Sequence, residues 1–191
     1  MICGIFGGTF DPPHVGHLII GEHVRESLHL EKVIFVPAAI PPHKTTATIT
    51  DGAKRLEMLH LAVGKNPFFE VDDQELRRGG VSYTVDTLTE LSRKRPGDSW
   101  VLLIGRDNLP EFRTWKEPER ILRFAQVVVM TRPGHEDENS REVPDGMIIC
   151  RVPEIGISSS EVRARVREGR SIRYLVPSSV EKYITAHLLY R

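Results

Sequence analysis

Two histidines and two glycines lie close together near the start of the sequence, in the stretch Gly7-Gly8-Thr9-Phe10-Asp11-Pro12-Pro13-His14-Val15-Gly16-His17. His14 and His17 are about one helical turn apart, so their rings can point to the same place. Backbone N–H groups at the beginning of a helix are unpaired and the helix dipole is positive there, which attracts phosphate. Glycines let the backbone approach a ligand closely. The stretch therefore predicts an anion site with histidines beside it.

The flanking elements would position this stretch. Ile2–Phe6 is an apolar run typical of a buried strand, and Leu18–Leu28 is expected to form a helix. The other predicted strands are Lys32–Pro37, Phe68–Val71, Ser99–Ile104, Gln126–Thr131 and Met147–Val152. The other predicted helices are Ala53–Val63, one beginning near Thr84, Pro118–Phe124, Glu161–Glu168, and one from Ser178 or Ser179 to about Leu189. Glu75–Gly80 is interpreted as an edge or a loop, and His135–Asp145 as an exposed loop.

Alternating strands and helices predict an α/β fold, a Rossmann-like doubly wound parallel sheet with helices on both faces. In that strand order the first and fourth strands are neighbours. Ligands bind at the carboxyl ends of the strands where the order reverses. The fold would bring the Gly7–His17 stretch next to Gly105–Asn108, which follows the fourth strand.

Composition argues against several classes of protein. Lys and Arg total 26, as do Asp and Glu, so the formal net charge is zero and a generally basic nucleic-acid binder is disfavoured. The apolar runs fall short of the roughly 18 residues of a membrane span, and no signal-peptide pattern begins the sequence. Cys3 and Cys150 are too far apart for a metal motif and are interpreted as reduced core residues. We therefore expect a cytoplasmic protein without nucleic-acid or membrane partners.

Common catalytic motifs are absent. The sequence contains no GxGxxG after the first strand, no GxxxxGK[ST], no HExxH, no CxxC pair and no GxSxG. These absences argue against a dinucleotide cofactor, a P-loop, a protein-bound zinc ion and a serine nucleophile. A phosphate site with histidines and no nucleophile suits direct displacement at phosphorus, in which donors stabilise the charged oxygens of the transition state.

GGTFDPPHVGH resembles the (H/T)xGH signature of the nucleotidylyltransferase superfamily, and most closely the bacterial nicotinate mononucleotide adenylyltransferases. The resemblance continues in order through SYTVDTL at 82–88, GRDNL at 105–109, FRTWK at 112–116 and ISSSEVR at 157–163. Ser160 and Val162 stand where Thr and Ile are usual, and Lys116 where Tyr is frequent. The departures at Ser160 and Val162 are mild. The one at Lys116 matters little if only the backbone N–H of this residue is used.

The resemblance implies a reaction in which nicotinate mononucleotide and ATP give deamido-NAD and pyrophosphate. Mg²⁺ would bridge the triphosphate and be bound mainly through phosphates and water, since the sequence has no carboxylate cluster that would cage a metal. Residues 1–191 would form a single nucleotidyltransferase domain, with the helices in 159–191 completing the ATP site.

His14 and His17 are the candidate catalytic residues, as donors to the triphosphate. An ATP polyphosphate should raise their pKa, and protonated rings would donate more strongly. The candidate ATP-binding residues are Gly7, Gly8, Thr9, Phe10, Gly105, Ile157, Ser158, Ser159 and Arg163. Serines and an arginine at a helix start can hold the β- and γ-phosphates, although a serine cap beside a surface arginine is the simpler alternative.

The candidate residues for the second substrate are Lys44, Thr84, Asp107, Trp115 and Lys116. Lys44 could clamp the attacking phosphate, and Asp107 is placed for ribose hydroxyls. Trp115 could stack on a pyridine ring, or else cover the core. In the family, main-chain N–H groups near Thr84 and just after the tryptophan contact the nicotinate carboxylate. The roles of the Lys116 side chain and of His43 stay open.

Other functions remain to be separated by experiment. One is a related transferase acting on nicotinamide mononucleotide, on phosphopantetheine or with a cytidine nucleotide. A class I aminoacyl-tRNA synthetase fragment is a second alternative, but the sequence lacks a KMSKS loop and is net neutral. A nucleotide-binding protein without catalysis is the third. The sequence leaves the oligomeric state open, a homo-oligomer included, and supports preference for acid over amide through the resemblance alone.

Overall fold

The computed structural model describes residues 1–41, 49–131 and 143–191. Within these ranges a six-stranded sheet has the order β3-β2-β1-β4-β5-β6, and every neighbouring pair of strands is parallel. The strands are β1 Ile2–Gly8, β2 Lys32–Pro37, β3 Phe69–Val71, β4 Ser99–Gly105, β5 Ala125–Thr131 and β6 Met147–Arg151. Because β1 lies between β2 and β4, the predicted doubly wound order is confirmed.

Helices cover both faces of the sheet. They are α1 Val15–Ser27, α2 Gly52–Val63, α3 Gln74–Arg78, α4 Thr84–Lys94, α5 Pro118–Phe124, α6 Ser159–Arg167 and α7 Ser178–Ala186. Leu88 of α4 and Ile121 of α5 are buried in one core cluster, and Val24 of α1 and Leu59 of α2 in another. A third cluster joins α2, α6 and α7 away from the sheet. This third cluster places the C-terminal helices beside the end of β1.

Strand periodicity explains the two clusters on the sheet. Trp100 and Leu102 of β4 are buried in the cluster that contains α4, whereas Val101 and Leu103 are buried in the cluster that contains α1. Successive side chains of a strand point to opposite faces, so a central parallel strand needs apolar residues at nearly every position. The continuous apolar run of β4 meets that requirement.

The interpretation of Glu75–Gly80 as an edge or a loop is wrong. Residues Gln74–Arg78 form the short helix α3, which ends at Gly79 with a φ of 69°. The polar residues are buried because they bond to α4: Thr87 Oγ1 donates to the Glu75 carboxylate at 2.5 Å, and Gln74 Nε2 donates to the Thr87 carbonyl at 3.5 Å. Polar composition misled the prediction because burial here depends on partners in another element.

Several predicted boundaries also shift. β1 continues to Gly8, α1 begins at Val15, and α7 ends at Ala186. The two predicted core cysteines, Cys3 and Cys150, are buried free thiols. In the three described ranges, no helix has both the length and the apolar character needed to cross a membrane. Most of the predicted exposed loop His135–Asp145 lies outside the described residues.

Candidate active site

The histidine stretch, Gly7–His17, begins inside β1 and ends in the first turn of α1. Gly7 and Gly8 are the last two residues of β1. A Cβ added to Gly7 would meet nothing within 4 Å, so this side of the strand end is open, whereas one added to Gly8 would lie 2.9 Å from the Phe10 ring. Gly8 therefore makes room for Phe10, and Gly7 leaves space above the strand.

Phe10 supports the stretch from below. Its φ is 50°, in the left-handed region, and its ring is buried against Phe35 and His17, with ring centroids 5.9 Å and 5.0 Å away. The ring thus belongs to the core, and only the main chain of Phe10 is left to contact a ligand.

The two histidine rings stack on each other. His14 is the N-cap residue of α1, His17 lies in the first turn, and their ring centroids are 3.7 Å apart. The backbone N–H of His14 donates to His17 Nδ1 at 3.1 Å. Because Nδ1 accepts this bond, the proton of a neutral His17 is on Nε2, which becomes a donor. A Cβ on Gly16 would lie 2.9 Å from His14 Nδ1, so a glycine is needed there.

Burial makes both rings neutral in the free protein. It lowers the pKa of His14 from 6.5 to about 4. Burial also lowers the pKa of His17 to about 3; the neighbouring His14 lowers it further, and the hydrogen bond with the His14 backbone opposes the shift. At neutral pH the two rings therefore present N–H donors rather than positive charges.

The backbone amides at the start of α1 are not all available to an anion. The His14 N–H is bonded to His17 Nδ1, and the Val15 N–H donates to the Leu175 carbonyl at 2.9 Å. The His17 N–H donates to the His14 carbonyl at 3.0 Å. These three N–H groups, predicted to be unpaired, are thus bonded inside the protein. The imidazoles, more than these amides, are therefore the candidate donors to an anion.

The start of α6 is bonded to the histidine stretch. Ser159 Oγ donates to the Pro12 carbonyl at 2.8 Å, and Arg163 Nη1 donates to the Asp11 carbonyl at 2.7 Å. Ser158 is the N-cap residue, and its hydroxyl accepts the Glu161 N–H at 3.1 Å. The structure thus brings the two predicted phosphate motifs together. The side chains of Ser159 and Arg163 are bonded to carbonyls of the histidine stretch. Ile157, which precedes the N-cap residue Ser158, packs against the third cluster.

A second group of candidates lies at the end of β4. A Cβ on Gly105 would lie 2.3 Å from Asp107 Oδ1, so the glycine allows the Asp107 carboxylate to fold back over the strand end. Asp107 is exposed in a short 3₁₀ turn over Arg106–Asn108. Since β4 pairs with β1, the Asp107 turn and the histidine stretch follow adjacent strand ends, as predicted.

The loop that carries Trp115 is fastened to the start of α4. Thr84 is the first residue of α4. Lys116 Nζ lies 2.9 Å from the Asp86 carboxylate and 4.9 Å from the centroid of the Tyr83 ring. The Trp115 ring packs on Phe112 with centroids 5.3 Å apart. Thr84, Trp115 and Lys116 are therefore neighbours, and Trp115 at least partly covers the core.

Sequence reasoning missed four residues that shape this site. They are Asp11, Gly16, Arg55 and Tyr190. Asp11 and Gly16 lie inside the motif, whereas Arg55 occupies a helix position and nothing in the sequence marks Tyr190. Two earlier candidates, Lys44 and His43, lie outside the described residues.

The donor groups do not form a metal cage. In the part of the chain that the structure describes, no group of three or more His, Cys, Asp or Glu residues could hold a metal ion. The buried Asp11 carboxylate already accepts hydrogen bonds from Tyr190 and Thr50.

Comparison with known proteins decides the family. The cytidylyltransferase-like family model matches residues 5–165. The chain belongs to the cytidylyltransferase-like family. Within this family it is 48% identical over 194 residues to a protein of Thermomicrobium roseum, covering 98% of this chain and 91% of the relative. It is 47% identical over 191 residues to a Thermus thermophilus protein, covering 100% of each. Both relatives are named "Probable nicotinate-nucleotide adenylyltransferase".

Solved structures share the fold of this cytidylyltransferase-like chain. Plasmodium falciparum nicotinic acid mononucleotide adenylyltransferase complexed with NaAD superposes with a TM-score of 0.80 at 19% identity, covering 99% of this chain and 97% of that one. The same enzyme complexed with APC gives a TM-score of 0.77 at 18% identity, covering 99% and 96%. At these identities the likeness establishes the fold alone.

Proposed function

We propose that the chain is a nicotinate-nucleotide adenylyltransferase, which joins nicotinate mononucleotide to the AMP part of ATP and releases pyrophosphate. The product is deamido-NAD, so the reaction belongs to NAD biosynthesis. The observation that carries this proposal is the stacked pair His14 and His17, held at the strand end beside the start of α6. Full-length relatives of 47–48% identity that carry this name support it.

The reaction is an in-line displacement at the α-phosphate of ATP. The phosphate of nicotinate mononucleotide attacks, the α–β phosphoanhydride bond breaks, and pyrophosphate leaves. Charge builds up on the oxygens around phosphorus, where a positioned donor contributes about 10²–10³ in rate. We assign this role to the N–H groups of His14 and His17. The triphosphate would raise the pKa of both rings and favour their protonated forms.

We assign the remaining ATP contacts to one cleft, between the ends of β1 and β4 and the start of α6. The open side of Gly7 and the main chain of Gly8, Thr9 and Phe10 would lie along the nucleotide. Gly105 would border it from β4. The start of α6 would meet the β- and γ-phosphates through Ile157, Ser158, Ser159 and Arg163. The bonds from Ser159 and Arg163 to loop carbonyls support this assignment, because they hold the two walls together. Residues 159–191 would thus complete the ATP site within one domain.

We assign the second substrate to the neighbouring strand end. Thr84, at the start of α4, and the backbone N–H of Lys116 would contact the nicotinate carboxylate, with Trp115 stacked on the pyridine ring and Asp107 on ribose hydroxyls. Lys44 would bind the attacking phosphate. The ion pair of Lys116 with Asp86 supports this arrangement, because it holds the tryptophan loop against α4. Mg²⁺ would reach the site with the triphosphate and neutralise its charge. The two buried thiols support a cytoplasmic location.

The test is a pyrophosphate-release assay with ATP and Mg²⁺. Nicotinate mononucleotide, nicotinamide mononucleotide and phosphopantetheine are supplied in turn. We expect release with nicotinate mononucleotide above the other two. Release with phosphopantetheine alone would assign a different transferase, and ATP binding without release from any of them would assign a non-catalytic nucleotide-binding protein.

Two variants test the histidine assignment. His17→Ala should lower kcat by at least about 10² and leave the fold intact. His23→Ala is the matched control, because it makes the same replacement further along α1, where the His23 ring bonds to the Arg151 carbonyl instead of facing the site. Equal kcat values for the two variants would remove His17 from the mechanism.

A further inference from the structure

A carboxylate is buried inside the histidine stretch. Asp11 is only 4% exposed. The Tyr190 hydroxyl donates to Asp11 Oδ1 at 2.7 Å, and the Thr50 backbone N–H donates to Oδ2 at 3.2 Å. Each carboxylate oxygen thus has a donor, and the two donors come from chain segments 140 residues apart. A buried carboxylate without such partners would be costly.

A buried cation lies against the same stretch. Arg55 is 1% exposed, and its guanidinium donates to the Thr9 and Thr50 carbonyls, both at 2.8 Å. Burial lowers the pKa of Arg55, and the nearby Asp11 charge raises it. A buried cation and a buried anion are therefore close to each other beside the stretch, and each has hydrogen-bond partners.

Tyr190 is held firmly enough to determine where Asp11 lies. It follows Leu189, which is buried in the third cluster with Ile184 of α7 and Met58 of α2. The Tyr190 hydroxyl also lies 4.0 Å from Met58 Sδ. The phenol therefore reaches Asp11 from a packed base rather than from a free chain end.

We propose that Tyr190 is a positioning residue for the histidine pair and acts through Asp11. His14 follows Asp11 by three residues, and the carbonyls of Asp11 and Pro12 are held from α6. The backbone of this segment is thus held from α6 and its buried side chain from Tyr190. Loss of the Tyr190 bond lets the Asp11 side chain move and shifts His14 together with the ring stacked on it. This inference rests on the proposed function for its kinetic consequence. Its structural part, control of the histidine geometry by Tyr190, stands without it.

Tyr190→Phe tests the proposal by removing one hydroxyl. It leaves Asp11 Oδ1 without that donor in a buried place, so we expect kcat to fall by about tenfold through misplacement of the histidines. KM for nicotinate mononucleotide should change less than twofold, because that substrate is assigned to the other strand end. The assay is run at a temperature well below the melting temperature of each variant. At that temperature a loss of stability alone does not lower kcat.

Tyr183→Phe is the matched control. The Tyr183 hydroxyl also donates to a carboxylate, that of Glu57, and lies on α7, but it has no contact with the histidine stretch among those that the structure describes. It should retain wild-type kcat. A kcat of Tyr190→Phe within twofold of that control would overturn the proposal. So would additive effects of Tyr190→Phe and Asp11→Asn in the double variant, since a shared hydrogen bond requires the second change to add little.

A measurement without turnover separates this proposal from the proposed function. The ¹⁵N signals of the His14 and His17 rings are recorded in wild type, Tyr190→Phe and Tyr183→Phe. We expect both signals to shift in Tyr190→Phe only. If wild type releases no pyrophosphate but the signals shift in Tyr190→Phe, the adenylyltransferase function is refuted and the positioning role is supported. Unshifted signals would refute the positioning role whatever the activity.

Discussion

Acid should destabilise this protein through His14 and His17. The unfolded chain has histidines with a pKa near 6.5, whereas burial lowers the folded values to about 4 and about 3. Between pH 7 and pH 5 these two histidines become protonated in the unfolded chain but stay mostly neutral in the folded protein. Stability is therefore lost as the pH falls through this range and is fully present above pH 7.

The magnitude depends little on the folded pKa values. At pH 5 an unfolded histidine is almost wholly protonated, and both folded rings are still mostly neutral. Each ring then accounts for a loss of about 2 kcal/mol between pH 7 and pH 5. The loss from the pair, about 4 kcal/mol, is a large part of the roughly 5–15 kcal/mol by which domains are stable.

Urea unfolding at pH 5, 6, 7 and 8 measures this effect. His17→Gln keeps a polar side chain but cannot be protonated, so its loss of stability between pH 7 and pH 5 should be about 2 kcal/mol smaller than that of wild type. His60→Gln, on the exposed side of α2, is the control and should keep the wild-type pH dependence. If wild type and His17→Gln lose the same free energy over this range, burial does not keep His17 neutral.

Two further predictions follow from the site. Gly16→Ala should lower kcat at least about tenfold, because its Cβ would lie 2.9 Å from His14 Nδ1. Gly97→Ala is the control and should keep the wild-type kcat in steady-state kinetics, because a Cβ there meets nothing within 4 Å. Lys116→Met should raise KM for nicotinate mononucleotide several-fold while KM for ATP and the urea midpoint stay unchanged, since exposed ion pairs contribute only about 0–1 kcal/mol. Unchanged KM values would show that Lys116 does not hold the tryptophan loop.

The sequence predicted the parts of the fold that depend on local pattern. Apolar runs such as Ser99–Ile104 were recognised because a central parallel strand is buried on both faces. The order of β1 beside β4 followed from the alternation of strands and helices. Helix α3 was missed because Gln74 and Glu75 are polar, and their burial depends on bonds to Thr87. Thr87 lies on another helix, so the sequence around Gln74 and Glu75 does not indicate it as their partner.

The candidate site, too, could be predicted only where it depends on local sequence pattern. The sequence predicts the histidine stretch and the serine start of α6 as phosphate motifs, since spacing and residue type carry their chemistry. Their mutual bonds, such as Arg163 to the Asp11 carbonyl, could not be predicted, because they join residues 152 positions apart. Tyr190 shows the limit most clearly. Its sequence neighbourhood is an ordinary helix end, and its importance arises from a single tertiary hydrogen bond.

Those tertiary bonds change how the opening motif is understood. The carbonyls of Thr9, Asp11 and Pro12 each accept a bond from a side chain elsewhere in the chain. A carbonyl so held cannot turn toward the cleft, where its partial negative charge would repel a phosphate. The helix start offers an anion less than its dipole suggests, because the amides of His14, Val15 and His17 are bonded within the protein. If the stretch binds an anion as proposed, holding these loop carbonyls inside the protein removes a repulsion, and the imidazole N–H groups are left as its donors.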